Sequence, residues 1–285
     1  MPDITRKTLS ATQIPALFGY SPYVTEWMLY HWALDKLDLD DVKVNERMEF
    51  GELMEPVILT MAARKLRLDV KHHEAQTYCV AVDGRYGCTI DADCADPQKG
   101  PGIVEAKEVD YKVWMESWTD SIAPPHIEIQ LQVQMMVKKA TWGVIAARVC
   151  SKGLTLYRRT PNIEMQAQIL KLVAGFWERV KNRRPPSIVG TEREIKGLSK
   201  LYPEHRESKV VEAGDDIYEM YEDLVAAQEA AKDAKELIGS YSAKLWDAAG
   251  DAMFVRTPSH TMKFKKTCTK AGTIRKAPIK AWENS

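Results

Sequence analysis

Asp91 and, fourteen residues further on, Glu105-Ala106-Lys107 are the residues whose types and spacing suit chemistry. Asp91 closes the stretch Thr89-Ile90-Asp91. A turn rich in Pro and Gly, from Asp96-Pro97 to Pro101-Gly102, separates it from the Glu-x-Lys triplet. Side chains alternate along a strand, so Glu105 and Lys107 project to one side and Ala106 to the other. Pairing of two strands would bring Asp91 to them. Two carboxylates and an ammonium at one spot suit a hard divalent cation and a water nucleophile, and the spacing implies metal-dependent phosphodiester cleavage. In isolation such a set is more often a surface ion-pair ladder, so the assignment needs support from the rest of the chain.

Mg2+ prefers octahedral oxygen ligation and keeps several waters. Asp91 and Glu105 would supply two oxygens and the backbone carbonyl of Ala106 another, with water and phosphate filling the remainder; Mn2+ is expected to substitute. Lys107 would hold or help deprotonate the attacking water and offset charge building on the phosphate. Burial and carboxylate neighbours act on its pKa in opposite directions. Three further features support the site. In Phe50-Gly51-Glu52-Leu53-Met54-Glu55-Pro56, Glu52 and Glu55 share a helix face, and Glu55 sits where it can reach the metal, directly or through water. His126, Gln130 and Gln134 are spaced by four and line one helix face, either a polar stripe that orients water, phosphate or bases, or a solvated helix side. Arg6 with Ser10 and Thr12 places hydroxyls at a helix start beside a guanidinium, which is a phosphate site and equally an ordinary N-cap.

The elements that must position these groups read as follows. Ser10 to Leu17 predicts a short helix, and Val44 to Leu66 a longer one that Pro56 kinks or restarts. Strands are expected at Gln76–Val82, Arg85–Cys94 and Gly102–Val109. A helix opens at Pro124-Pro125 and runs to about Lys139. Trp142–Cys150 and Leu154–Arg159 follow as strands, then an amphipathic helix from Asn162 to Asn182. Helices alternating with strands imply an α/β (α+β) fold with a mixed central sheet flanked by helices. Residues 187–214 lack periodicity and read as a linker or irregular wrap. Asp215 to about Ala249 predicts a long helix, or a helical hairpin broken near Gly239, before a small hairpin formed by Ala252–Val255 and Thr261–Phe264. The expected division is a core at 1–186 and a helical extension with a basic tail at 187–285.

Composition sets outer bounds. The 285 residues are 45% hydrophobic, enough for a substantial core, and 40 basic residues balance 40 acidic ones. A polyanion partner would therefore have to meet locally gathered charge. Between Asp251 and Glu283 there is no acidic residue but eight basic ones, from Arg256 to Lys280, and Arg179 to Arg184 forms a second basic knot. Five cysteines with no CxxC pair disfavour a disulfide framework and a structural zinc site. No apolar leader segment or membrane span is evident, so a cytoplasmic location is expected.

Taken in order, Ser10 to Gly19, Gly51 to Pro56, Thr89-Ile90-Asp91, Val104-Glu105-Ala106-Lys107 and Gln130-Leu131-Gln132-Val133-Gln134-Met135 resemble the phage-lambda-type, YqaJ-like recombination exonucleases of the PD-(D/E)XK nuclease superfamily. The resemblance spans about Ser10 to Pro186. It implies a restriction-endonuclease-like sheet and Mg2+-dependent degradation of linear double-stranded DNA from 5′ ends. It also implies a single-strand annealing recombinase as partner and a homo-oligomer, often a ring-shaped trimer. By position, Glu55 looks like the family's helix acid, Asp91 and Glu105 like its metal ligands, Lys107 like its catalytic lysine and Gln130 like its motif glutamine. Arg6 and Thr12 are similar to its 5′-phosphate contacts, and Gln132 is grouped with them as a DNA contact. Two departures stand out. Asp91-Ala92-Asp93 replaces the usual Asp-Gly, and the cysteine triplet that holds an iron–sulfur cluster in some relatives is missing, so no cluster is expected. The alternatives are an endonuclease on the same core and a non-catalytic DNA-binding recombination accessory protein. The complete set Glu55, Asp91, Glu105 and Lys107 speaks against the latter.

Overall fold

The structure, a computed structural model, describes residues 7–39, 46–73, 77–119, 121–150, 152–204, 209–268 and 274–283, with side chains through residue 264. The chain forms two compact units, 1–205 and 206–285. In the first, β1 (Leu9–Ser10) leads through a 3-10 turn (Ile14–Phe18) to α1 (Glu26–Ala33), α2 (Glu46–Leu66), β2 (Val70–His72), β3 (Cys79–Val80), β4 (Tyr86–Cys88), β5 (Ala92–Asp96) and β6 (Gly100–Val109). Then come α3 (Tyr111–Ser117), α4 (Pro125–Lys138), β7 (Trp142–Val149), β8 (Gly153–Arg159), α5 (Ile163–Lys181) and α6 (Glu192–Leu201). The second unit holds α7 (Asp215–Ala249), β9 (Phe254–Arg256), β10 (His260–Cys268) and β11 (Ile274–Glu283).

The central sheet has the order β2-β5-β6-β7-β8 and is mixed, as expected. β6 and β7 run parallel while the other neighbours are antiparallel. A parallel pair needs a crossover, and α3 with α4 supplies it. Pro125 occupies the first turn of α4, where its missing N–H is harmless. The helix ends at Lys139 in the left-handed region. Ile58, Leu59, Ala62 and Leu66 of α2 cover one face of the sheet against Val104, Val144 and Ala146. α4 and α5 cover the other with Ile127, Leu131, Met135, Ile169, Val173 and Phe176 over Ile103, Ile145, Ala147 and Val149. Gly102 is required where it sits, because an added Cβ would meet the Trp142 ring at 2.2 Å.

Several elements depart from the sequence expectation. Ser10 to Leu17 is not one helix: β1 pairs in parallel with β4, and only Ile14–Phe18 turns. Neither Ser10 nor Thr12 caps that turn; its N-cap is Gln13, and the two hydroxyls bond each other at 2.8 Å. α2 runs through Pro56 as one helix, giving up one backbone hydrogen bond. The expected strand Arg85–Cys94 is two strands in different sheets, since β4 belongs to the small sheet β1-β4-β3 and β5 to the central one. The chain changes sheets at Thr89-Ile90-Asp91. α1 carries no amphipathic period because Trp27, Met28, Leu29, Tyr30 and Ala33 are all buried. α7 is a single helix across Gly239, and the terminal hairpin is a three-stranded sheet, β11-β10-β9.

α6 falls in the stretch read as irregular. It packs within the first unit through Leu198 and Leu201 against Trp27, Met28 and Leu37, and it is tied there by Glu194, which is fully buried. Its carboxylate accepts from Thr25 Oγ1 at 2.5 Å and from the backbone N–H groups of Val189, Gly190 and Thr191 at 3.0, 2.7 and 3.0 Å. Burial pushes the Glu194 pKa up, but these hydrogen bonds outweigh it and hold the group below its ordinary value. A depressed carboxylate stabilises the fold above its unfolded pKa, and that contribution disappears as the pH falls through its folded one. Glu194→Ala should therefore destabilise the chain by about 2 kcal/mol at neutral pH. Urea titrations should show the gap to wild type closing below the usual carboxylate range. A gap independent of pH would contradict this role.

Candidate active site

The end of β6 carries the site. Glu105 and Lys107 share one face of the strand, and Ala106 packs on the other with the α2 side of the core, as alternation demands. Glu105 is 2% exposed. Its Oε1 accepts from Lys107 Nζ at 2.5 Å and from Gln130 Nε2 at 2.5 Å, and its Oε2 from Gln134 Nε2 at 2.6 Å. Gln130 and Gln134, one turn apart on α4, therefore grip the two oxygens of the same carboxylate. Gln134 also donates to the Thr89 carbonyl at 3.1 Å, which ties the sheet-changing segment to the same helix.

Asp91 lies just before β5, whose first residue Ala92 pairs with Val104. Its Oδ2 accepts the N–H of Ala106 at 2.7 Å. Burial pushes Asp91 up to about 8; Glu105 adds to the rise, Lys107 and the Ala106 N–H oppose it, and Glu55 adds further. Burial acts to lower the Lys107 pKa, but Glu105 and Asp91 outweigh it and raise the group above its ordinary value. Lys107 is thus an ammonium here. His126, at the start of α4, is held below its usual pKa by burial and by Lys107, and its ring meets Tyr23 edge-on at 6.2 Å.

The donor set fits a hard divalent cation. A carboxylate offers about four lone-pair sites. Those of Glu105 take three hydrogen bonds and that of Asp91 one, so each retains room for a ligand bond. Burial first and Glu105 second raise the Asp91 pKa, and a bound cation would offset both. Among the described residues no three His, Cys, Asp or Glu side chains converge to cage an ion.

Residues 3–141 match the family model described as the YqaJ-like viral recombinase domain. The match takes in just under half of the chain. Every acid and amide of the site falls inside it. The sequence matches no curated protein. Among solved structures, the fold is similar to that of an alkaline exonuclease, LHK-Exo, from Laribacter hongkongensis, with a TM-score of 0.50 at 15% identity over 68% of this chain and 95% of that one. A second structure, of LHK-Exo in complex with dAMP, gives a TM-score of 0.50 at 14% identity and the same coverage.

The structure brings Asp91, Glu105, Lys107 and Gln130 together. Glu55 is engaged by His72, whose Nε2 lies 2.9 Å from Glu55 Oε1, and its charge acts on Asp91. Glu52 is exposed. Gln132 is buried on another side of α4, where its amide bonds the Thr160 carbonyl, the Asn162 N–H and Gln166; the structure does not bring it to Glu105. Thr12 is exposed beside Ser10, and Arg6 lies outside the described residues. Asp93, the extra acid, is held by His73 at 2.8 Å and Lys138 at 3.2 Å. Two partners had weak sequence signals. Gln134 was legible only as part of a spaced stripe, and His72 had none, since its role depends on β2 running beside the α2 acid.

A carboxyl group with a raised pKa makes the metal-free fold less stable as the pH climbs from the ordinary carboxylate range to about 8, because the unfolded chain releases that proton first. Asp91→Asn in chelator should therefore melt several degrees above wild type at pH 8, with the difference vanishing towards pH 4. Mg2+ should raise the wild-type Tm and leave that of the variant unmoved. Equal melting of the two chains at pH 8 would contradict the geometry.

Proposed function

We propose that this chain is a Mg2+-dependent exonuclease that degrades linear double-stranded DNA in the 5′-to-3′ direction during phage-type recombination by single-strand annealing. The observation that carries this reading is the meeting of Asp91, Glu105 and Lys107 at the end of β6, inside a YqaJ-like domain on a fold similar to that of an alkaline exonuclease. On this reading the substrate is double-stranded DNA, the partner is a single-strand annealing recombinase, and the working form is a homo-oligomer.

Asp91, Glu105 and the Ala106 carbonyl would hold the ion, with Glu55 behind them through water. Bound there, a divalent cation supplies charge neutralisation and a lowered water pKa. The protein's own groups do the rest. As an ammonium, Lys107 donates rather than accepts, so it orients the attacking water and faces the charge that develops on the phosphate. Gln130 and Gln134 fix both oxygens of Glu105, so the carboxylate cannot swing to pair with Lys107 alone. Preorganisation of this kind lowers the reorganisation needed at the moment of reaction.

Lys107→Ala should cut turnover by about a hundredfold or more while duplex binding in Ca2+ stays within a few-fold of wild type. Retained turnover would remove Lys107 from its assigned role. Linear, end-blocked and circular duplexes incubated with Mg2+ test the exonuclease claim. Degradation should need a free end, and digestion of the circle as readily as the linear form would make the enzyme an endonuclease instead.

A further inference from the structure

α7 lies in the second unit. It is 35 residues long, about 52 Å at 1.5 Å per residue. Part of its apolar set keeps a seven-residue repeat, with Tyr218, Tyr221, Val225, Leu237 and Trp246 lying outside it. Ile217, Leu224, Ala231, Ile238 and Leu245 hold one heptad position, and Met220, Ala227, Ala234, Tyr241 and Ala248 the position three residues on. No polar side chain interrupts either series, which is the pattern of a coiled-coil seam. The seam is open: Ile217, Met220, Leu224, Ile238 and Tyr241 are each more than half exposed. Among the described residues α7 meets β9 and β11, and Ala249 at its C-terminal end is buried. A helix of this kind draws most of its stability from packing its apolar face.

We propose that the seam is closed by α7 of a second copy of this chain, running antiparallel. Charge distribution favours that occupant and that direction. Residues 215–231 carry Asp215, Asp216, Glu219, Glu222, Asp223 and Glu229 and no basic residue. Residues 232–249 carry Lys232, Lys235 and Lys244, balanced by three acids. A parallel pair would set two acidic halves side by side, whereas an antiparallel pair lays each acidic half on a lysine-bearing one. Side-chain size points the same way. With the twofold axis between residues 232 and 233, Leu224 faces Tyr241, Ala227 faces Ile238 and Ala231 faces Ala234. In-register parallel helices would instead stack Ala on Ala at 227, 231 and 234, leaving a thin middle between bulky ends, and helix separation follows side-chain size. In the antiparallel register Asp223 faces Lys244 beside the seam, twice by symmetry.

Light scattering and sedimentation of the full chain test this. Leu224→Asp combined with Ile238→Asp should halve the particle mass. Asp223→Lys should weaken association about tenfold, and adding Lys244→Asp should restore it. That rescue has no counterpart in a parallel pair, where Asp223 faces Gln228, or in the docking of α7 on a different protein. Where the seam variant loses helix by circular dichroism, the charge reversal and its rescue decide alone. A mass that the seam substitutions leave unchanged in folded protein, or an Asp223→Lys defect that Lys244→Asp does not relieve, overturns the proposal. Nuclease activity is not the readout, so the outcome is independent of the active-site reading.

Discussion

The constraint on which the rest of the structure depends is the burial of Glu105 next to Asp91. Two carboxylates held close in a low-dielectric setting repel one another, and each resists losing its water. The fold answers with directed donors: two glutamine amides and an ammonium on Glu105, a backbone N–H on Asp91. The compensation is incomplete, as the raised Asp91 shows. Burial and the Glu105 charge together raise Asp91, and a cation bound between the two carboxylates would offset both.

Each part of the first unit can be understood from that requirement. The parallel β6–β7 pair forces a crossover, and the crossover brings α4 across the face on which Glu105 and Lys107 stand. The four-residue spacing of Gln130 and Gln134 matches one helical turn, so both amides reach one carboxylate. The change of sheets between β4 and β5 leaves Asp91 outside regular pairing, with its carboxylate turned to the Ala106 N–H. On the opposite face α2 builds an apolar layer and carries Glu55 into range of Asp91.

Much of this was legible in the sequence because it rests on local periodicity. Alternation along β6 placed Glu105 and Lys107 together, and the four-residue stripe on α4 placed Gln130 and Gln134 together. What was not legible depends on tertiary context. Arg85 to Cys94 reads as one continuous strand, and nothing local says that it serves two sheets. α1 is apolar nearly all round, so it has no moment to reveal it. α6 is held by Leu198 and Leu201 on Trp27, Met28 and Leu37 and by Glu194, whose partners lie on α1's N-cap and on the loop before α6. Gln132 shares a helix with Gln130 and differs from it by two positions, enough to turn its amide to the start of α5. The apolar residues of α7 read only as a long helix or a broken hairpin, and their exposure is a fact of the fold.

Anomalous diffraction from a crystal soaked in Mn2+ tests the central claim most directly. The account predicts a peak within ligand distance of both the Asp91 and the Glu105 carboxylates, with the Ala106 carbonyl in the same coordination sphere and Lys107 Nζ facing a metal-bound water. A peak at Asp93 and His73 with none at Asp91 and Glu105, or full-occupancy Mn2+ elsewhere and an unchanged Glu105 cluster, would contradict it.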